Sequence, residues 1–463
     1  MEVEASDWEP NGSLYVFMAI FLYASLGIPL SFFTSPSSSS HVSNAISSNA
    51  MAKSSSPFDL SATVSVRFQR KFLLIYSLAS ALEGMWSVFG EIEFVYYGAE
   101  KEDLLASLCV GYTVALLVGP FLGVLSDFIG HRRSCLLFSI IHLAVGVWRR
   151  TTSYPNQWFS ILCLPISTSI FASSFEAMLV VEFHEQSHKN ETLTETFWLM
   201  GFLESAMLIG TQALSNKLLS IKLERGITTY SSISIMFSII CIMYLSKGRK
   251  PSPFSSNTRK CIAASYLQIL NDKRLLVLGL SHACLQFSIA VFWFLWAPTL
   301  VADGRGVNLG MIYAFLLGSK MVGTTIFQWI YSGSSSPKSE DALTYALLTL
   351  AIVLSIVAYD YQEIKTLVSL FCLFQIGTGF TVPLLARLRA MHVPNEIRGG
   401  MITLWSAPGN AMVLYLMIKR GYYRTVENST LLAIACLGLF VAGGCVWCLR
   451  RREKLLYQNG HKL

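Results

Sequence analysis

The sequence predicts an all-α, polytopic membrane protein with one extra N-terminal transmembrane helix followed by six spans and then six more. Three observations predict it. The chain of 463 residues is 53% hydrophobic and only 14% charged, with a mean hydropathy of +0.50, whereas soluble domains carry roughly a quarter charged residues. Its apolar residues come in runs of about 18 or more, the length that a bilayer requires of a helix. No hydrophilic stretch between those runs reaches the roughly fifty residues of a minimal soluble domain.

Taken in order, residues 1–34 hold the extra helix, from about Ser13 to Thr34. Residues 35–70 form a polar linker whose serine runs, Ser37 to Ser40 and Ser54 to Ser56, predict flexibility, because such a composition buries too little apolar surface to order itself. An N-terminal six-helix half occupies 71–246, with core spans near 72–98, 104–127, 133–149, 157–182, 195–217 and 228–246. A basic loop fills 247–274. The C-terminal six-helix half occupies 275–449, with core spans near 275–300, 309–331, 342–359, 366–386, 399–418 and 429–449, and a tail follows at 450–463. Six spans, a basic loop and six spans is the layout of a duplicated transporter fold with its solute site at the midplane between halves.

The net charge of +7 reports orientation rather than a nucleic-acid partner, for which no motif exists. Lys247, Arg249, Lys250, Arg259, Lys260, Lys273 and Arg274 crowd the central loop. Arg132, Arg133, Arg387, Arg389 and Arg398 fall in other loops on the same side, as does the arginine-rich tail. That side is expected to be the cytoplasm. The extra helix follows Glu2, Glu4, Asp7 and Glu9 with no basic residue. It lacks the positive region of a signal peptide, so a retained span with an outside N-terminus is expected. The expected residence is the plasma membrane, or an endomembrane.

Charges near mid-bilayer cost several kcal/mol and are functional candidates by default. The first core span carries Glu83, the fourth Glu176 and the fifth Glu204. In the seventh, His282, Gln286 and Trp293 share one stripe. The eighth carries Lys320 and the tenth Gln375 with Thr378, while the ninth and twelfth are close to uniformly apolar, as lipid-facing helices should be. Each candidate has a plainer reading. Glu83 could simply bond a neighbouring helix, Glu204 is weighted toward a structural role and His282 toward packing, while the plain reading of Lys320, an ion pair with Glu83, Glu176 or Glu204 that only holds helices together, carries slightly less weight than a functional one. The ten cysteines are scattered. Cys445 and Cys448 have CxxC spacing but no second pair, so neither metal nor cofactor is expected.

Between the second and third core spans runs Gly123-Val-Leu-Ser-Asp127-Phe-Ile-Gly130-His-Arg132-Arg133. It resembles motif A, the gating loop of the major facilitator superfamily, with His131 where that motif usually has arginine. Physically, Gly123 permits close helix approach and Gly130 a tight turn. Asp127 suits a helix N-terminus, and the arginines suit inner headgroups. Within that superfamily, three stretches resemble the molybdate-anion transporter family, the domain-containing protein 5 group. These are Ser174-Phe-Glu176-Ala177 with Glu182, His184 and Glu185; Asp272-Lys-Arg274 through Gly279 to Phe294-Leu-Trp-Ala-Pro298; and Val393-Pro-Asn-Glu396 with Arg398, Pro408 and Asn410. The resemblance covers nearly the whole chain. It implies a major facilitator fold and an ion or small-solute transporter. The chain departs from the family at Leu82-Glu83-Gly84-Met85-Trp86, around Cys163 to Pro165, and at Ser406, the last two being places where the family tends to carry arginine.

The expected function is alternating-access transport of a small polar solute, with an oxyanion such as molybdate foremost. Lys320, Gln286 and Gln375 would contact the solute, Glu83 or Glu176 would carry a coupling proton, and His282 and Asn410 are further candidates. The expected partners are that small-molecule or anion substrate, protons and the lipid bilayer, with no nucleic acid. A carrier of another small solute, or a non-transporting receptor or scaffold with the same fold, is the alternative. An enzyme is not expected: GxSxG, HExxH and P-loop motifs are all missing from the sequence.

Overall fold

A computed structural model describes residues 57–96, 101–152, 157–185, 190–221, 223–247, 266, 272–331, 337–359, 363–421 and 427–460, with a few helical positions between Gly12 and Tyr23. Most of the extra N-terminal span, the serine runs and most of the basic central loop lie outside the described residues.

The helices are α1 (Pro57–Tyr96), α2 (Lys101–Leu117), α3 (Gly119–Ile129), α4 (His131–Thr151), α5 (Gln157–Glu185), α6 (Asn190–Ile221), α7 (Leu223–Ser246), α8 (Lys273–Leu300), α9 (Leu309–Tyr331), α10 (Ser339–Ala358), α11 (Ile364–His392), α12 (Arg398–Gly421) and α13 (Asn428–Gly460). Among the described residues, nine are long and apolar enough to cross a bilayer, and α2 with α3 makes a tenth span bent by 46°. Pro120 sits in the first turn after that bend. A proline can neither donate a backbone hydrogen bond nor share space with the preceding turn, which accounts for the break. The first core span starts earlier than its hydropathy indicates. Pro57 opens α1, a position where its missing N–H costs nothing, and Leu60, Val64 and Phe68 then recur at helical spacing. The end of the polar linker is therefore helix rather than flexible chain.

Within the first half, α1 packs on α6 and α7, and α4 on α5 and α7. Within the second, α9 packs on α11, α10 on α11 and α13, and α8 on α12 and α13. Two seams join the halves: α12 lies against α2 and α3, and α9 against α6. Lipid offers apolar surface as readily as protein does, so packing and polar contacts decide which helices meet. In the first half, Phe72, Tyr76, Phe138, Phe171 and Phe175 form a cluster of stacked and edge-on rings. In the second, Phe292 meets Phe371 and Phe374. Helices α10 and α13 turn Tyr345, Ile352, Leu437, Val441 and Trp447 outward, the surface that their uniform hydrophobicity indicates.

Candidate functional site

The site is built from a closure at one end of the bundle and a cavity beyond it. The closing end is the one with the α3–α4 turn. Gly130 makes that turn at φ 94°, a backbone conformation that side chains with a Cβ disfavour. It ends α3 just after Asp127, which reaches across to the first turn of α12. Asp127 Oδ1 accepts the Gly399 amide and Oδ2 the Gly400 amide, each at 2.9 Å. A carboxylate here meets free helix-end donors and the positive end of the helix dipole. The Tyr266 hydroxyl also donates to Oδ2. Burial, then the neighbouring Asp127 charge, push the Tyr266 phenol up, so it stays a neutral donor. One turn earlier, Gly123 lets α3 touch α12: a Cβ there would stand 2.1 Å from Thr403 Oγ1 and 2.7 Å from the Gly399 carbonyl.

The motif arginines divide. Arg133 is exposed. Arg132 does not simply face headgroups: its Nε donates to the Leu245 carbonyl at 2.9 Å and Nη1 lies 3.8 Å from Glu182. It thereby covers the C-terminal carbonyls of α7, the groups that every helix end leaves unpaired.

Two ion pairs cross between the halves. Glu176 on α5 meets Arg389 on α11, with Nε to Oε1 at 2.9 Å and Nη2 to Oε2 at 2.6 Å. Glu204 on α6 meets Lys320 on α9 at 3.1 Å, and the Tyr76 hydroxyl donates to the other Glu204 oxygen at 3.0 Å. The loop placement of Arg389 and Arg398 is corrected here. No helix breaker follows position 386 until Val393-Pro394, so α11 continues to His392. Arg389 is 5% and Arg398 1% exposed. Arg398 donates to the carbonyls of Arg389 and Val393 and to Asn395 Oδ1, closing the end of α11.

Beyond this closure lies a cavity of about 400 Å³ between α2 and α5 of one half and α8 and α12 of the other. Trp86, Ser107, Tyr112, Thr168, Ser169, Gln286, Thr403, Ser406 and Asn410 bring polar atoms to its wall, and among the described residues no charged side chain lines it. The charges stand one hydrogen bond behind the wall. Thr168 donates to Glu83 Oε2 at 2.8 Å, and Glu83 Oε1 lies 3.2 Å from His142 Nε2. Ser406 Oγ lies 3.0 Å from His282 Nε2, whose Nδ1 faces Arg389 Nη1 at 2.8 Å.

Of the residues singled out by sequence, Gln286 and Asn410 therefore lie in the cavity wall, while Glu83 and His282 sit directly behind it. Glu176 and Lys320 are taken up by ion pairs between halves. Gln375 is buried on α11, where its Oε1 accepts from Thr378 at 3.0 Å, and neither it nor Lys320 lines this cavity. Sequence reasoning missed His142 and Arg389. The first was legible as an ionisable residue within an apolar span. The second was hidden by its resemblance to a loop arginine. Among the described residues, no group of three or more His, Cys, Asp or Glu could hold a metal ion.

The profile of a family described as sugar transporters, 12 TM, matches residues 44–377. The molybdate-anion transporter of Danio rerio is 23% identical over 375 residues, 74% of this chain and 77% of that protein. That of Xenopus tropicalis is 21% identical over 387 residues, 80% and 85% of the two chains. Among solved structures, a bacterial homologue of the iron transporter ferroportin, outward-facing with soaked iron, is similar with a TM-score of 0.65 at 14% identity, covering 82% of this chain and 99% of that one. The fucose:proton symporter of E. coli is similar with a TM-score of 0.65 at 10% identity, covering 83% and 99%. At these identities the structural likeness speaks for the fold.

Proposed function

The chain belongs to the major facilitator superfamily, within the family described as sugar transporters, 12 TM, as a divergent relative of the molybdate-anion transporters, and on that premise we propose that it carries an oxyanion such as molybdate by alternating access. It is a multi-pass membrane transporter and not an enzyme. The observation that carries the reading is the cavity between the halves, closed at one end by Asp127 on the α12 N-terminus and by the Glu176–Arg389 pair, with the Glu204–Lys320 pair joining the halves at the α6–α9 seam. Separating those contacts while the far ends approach would turn the same cavity to the other side.

The relatives' name supports an oxyanion, and so does the chemistry of the wall. Hydroxyl and amide donors in a desolvated pocket hold an oxyanion through charge-assisted hydrogen bonds without a buried free cation. Gln286, Asn410, Ser406 and Thr168 are the solute contacts in this reading. Glu83 is the coupling carboxylate, because Thr168 links it to the cavity and His142 adjoins it, while Glu176 is held by Arg389. The closing end carries the basic Arg132, Arg133, Lys273 and Arg274. It is therefore assigned to the cytoplasm, in the plasma membrane or an endomembrane.

One observation favours a second solute. A wall that carries no charge among the described residues, with Trp86 and Tyr112 among amides and hydroxyls, also fits an uncharged polyhydroxylated molecule. Uptake into proteoliposomes of molybdate and of a neutral hexose, each at two pH values, separates the two. Saturable molybdate uptake that weakens in Gln286→Ala and Asn410→Ala is expected. Hexose uptake alone would move the assignment to the second solute, and uptake of neither by folded protein would overturn both.

A further inference from the structure

The contacts behind Ser406 have a direction that hydrogen-bond chemistry fixes. A guanidinium carries donors only. Glu176 occupies one edge of Arg389 through Nε and Nη2, which leaves Nη1 aimed at His282 Nδ1 at 2.8 Å. Nδ1 must then be the acceptor, so the neutral ring carries its proton on Nε2. Nε2 lies 3.0 Å from Ser406 Oγ, and the imidazole donates to the hydroxyl. Ser406 thereby keeps its own proton. In this structure that proton goes to the Ile402 carbonyl at 2.9 Å, and because Ser406 lines the cavity it can turn to a solute instead. The opposite tautomer would consume the proton and leave only lone pairs facing the cavity. The ring is 1% exposed, and donors in series from a charged group strengthen one another.

The geometry points to His282 as a positioning residue for the solute: by donating to Ser406, it makes this part of the wall a hydrogen-bond donor and selects solutes that present an acceptor oxygen there. The role of the cavity rests on the transport reading above; the tautomer does not. Because Glu176 orients Arg389 from the other half, the donor is set while the closing end is closed and is loosened when it opens.

Two measurements test this. In full-length protein labelled with 15N-histidine and reconstituted in lipid, solid-state NMR reads the protonation of each ring, and loss of one signal in His282→Phe assigns residue 282. A neutral ring protonated on Nε2 is expected; a ring protonated on Nδ1, or an imidazolium, overturns the proposal. In proteoliposomes, Ser406→Ala and His282→Phe are each expected to raise the half-saturating molybdate concentration about tenfold, equivalent to ~1.4 kcal/mol, with the maximal rate changed far less. Ser406→Thr and His282→Gln, which restore a hydroxyl and an acceptor–donor pair, should recover most of it. A packing role alone would make apolar Phe at least as good as Gln, and that order, or an unchanged Ser406→Ala, overturns the proposal. Should the wild-type chain carry no molybdate, the oxyanion reading falls by itself, and the tautomer at His282 decides this one.

Discussion

Glu176 and Arg389, 213 positions apart in the chain, meet edge to edge between the two halves, with both carboxylate oxygens on one side of the guanidinium. Both side chains are largely buried, at 13% and 6% exposure. Removing one partner strands a buried charge, which costs about 3–5 kcal/mol, whereas removing both leaves no unpaired charge. Arg389→Met is therefore expected to shift the protein toward opening at this end, seen as faster thiol labelling of a cysteine placed there, and Glu176→Gln combined with Arg389→Met should recover much of the loss. Equal labelling in the single and double variants would contradict this account of the pair.

Asp127 should be the most sensitive motif position. Asp127→Ala leaves the Gly399 and Gly400 amides unpaired at a buried helix end, an expected loss of about 2–3 kcal/mol from the closed arrangement. Asp127→Asn keeps one acceptor and should lose less. Thiol labelling at the closing end reads both.

Tyr266→Phe is expected to weaken the same closure by about 1 kcal/mol. The pH dependence has a definite sign. The Tyr266 phenol is raised by burial and by Asp127, so its contribution is fully present below the ordinary phenol value of about 10 and declines as pH rises above it. Protection at the closing end should thus be insensitive to this group from pH 6 to 9 and fall above about pH 10 in the wild type, with no such added fall in Tyr266→Phe.

At Gly123, a methyl group would meet both Thr403 Oγ1 and the backbone carbonyl of Gly399. The first neighbour can rotate and the second cannot. Gly123→Ala should cost about 1–3 kcal/mol of helix packing, visible as a lower Tm in detergent, and Thr403→Ala should relieve only part of it. Full relief would place the constraint on the side chain rather than on the helix approach.

Lys320→Ala tests what the lysine is for. Paired with Glu204 across the second seam, it should alter the maximal rate of uptake through the conformational cycle while leaving the half-saturating concentration within about twofold, a difference of ~0.4 kcal/mol. A large rise in that concentration with an unchanged maximal rate would return Lys320 to the solute site.

How far the sequence reads differs between elements. The bounds of α9 are those that its hydropathy indicates, because a lipid-bounded helix must be apolar over its whole length. The Gly123–Asp127–Gly130 spacing marks a close approach, a helix-end carboxylate and a tight turn, since each follows from one residue's own chemistry. Arg389 could not be read in this way. An arginine just past an apolar run looks like a headgroup anchor unless its acid is known, and that acid lies on another helix in the other half. Gln375 and Lys320 lie outside the wall of this cavity for a similar reason: depth in the bilayer is legible from sequence, whereas the side of the helix that meets a cavity depends on how that helix is rotated against its neighbours.

The sequence by itself determined that the chain spans a membrane, how its helices divide into halves, and which few polar residues they carry at mid-depth. The cost of placing polar groups in hydrocarbon acts on each segment separately and leaves its mark in composition. Only the tertiary structure decided the partners: that Glu176 meets Arg389, that Glu204 meets Lys320, and that Ser406 reaches the cavity with His282 behind it. Those pairings depend on hydrogen-bond distances between helices distant in sequence, fixed by packing within and between the halves.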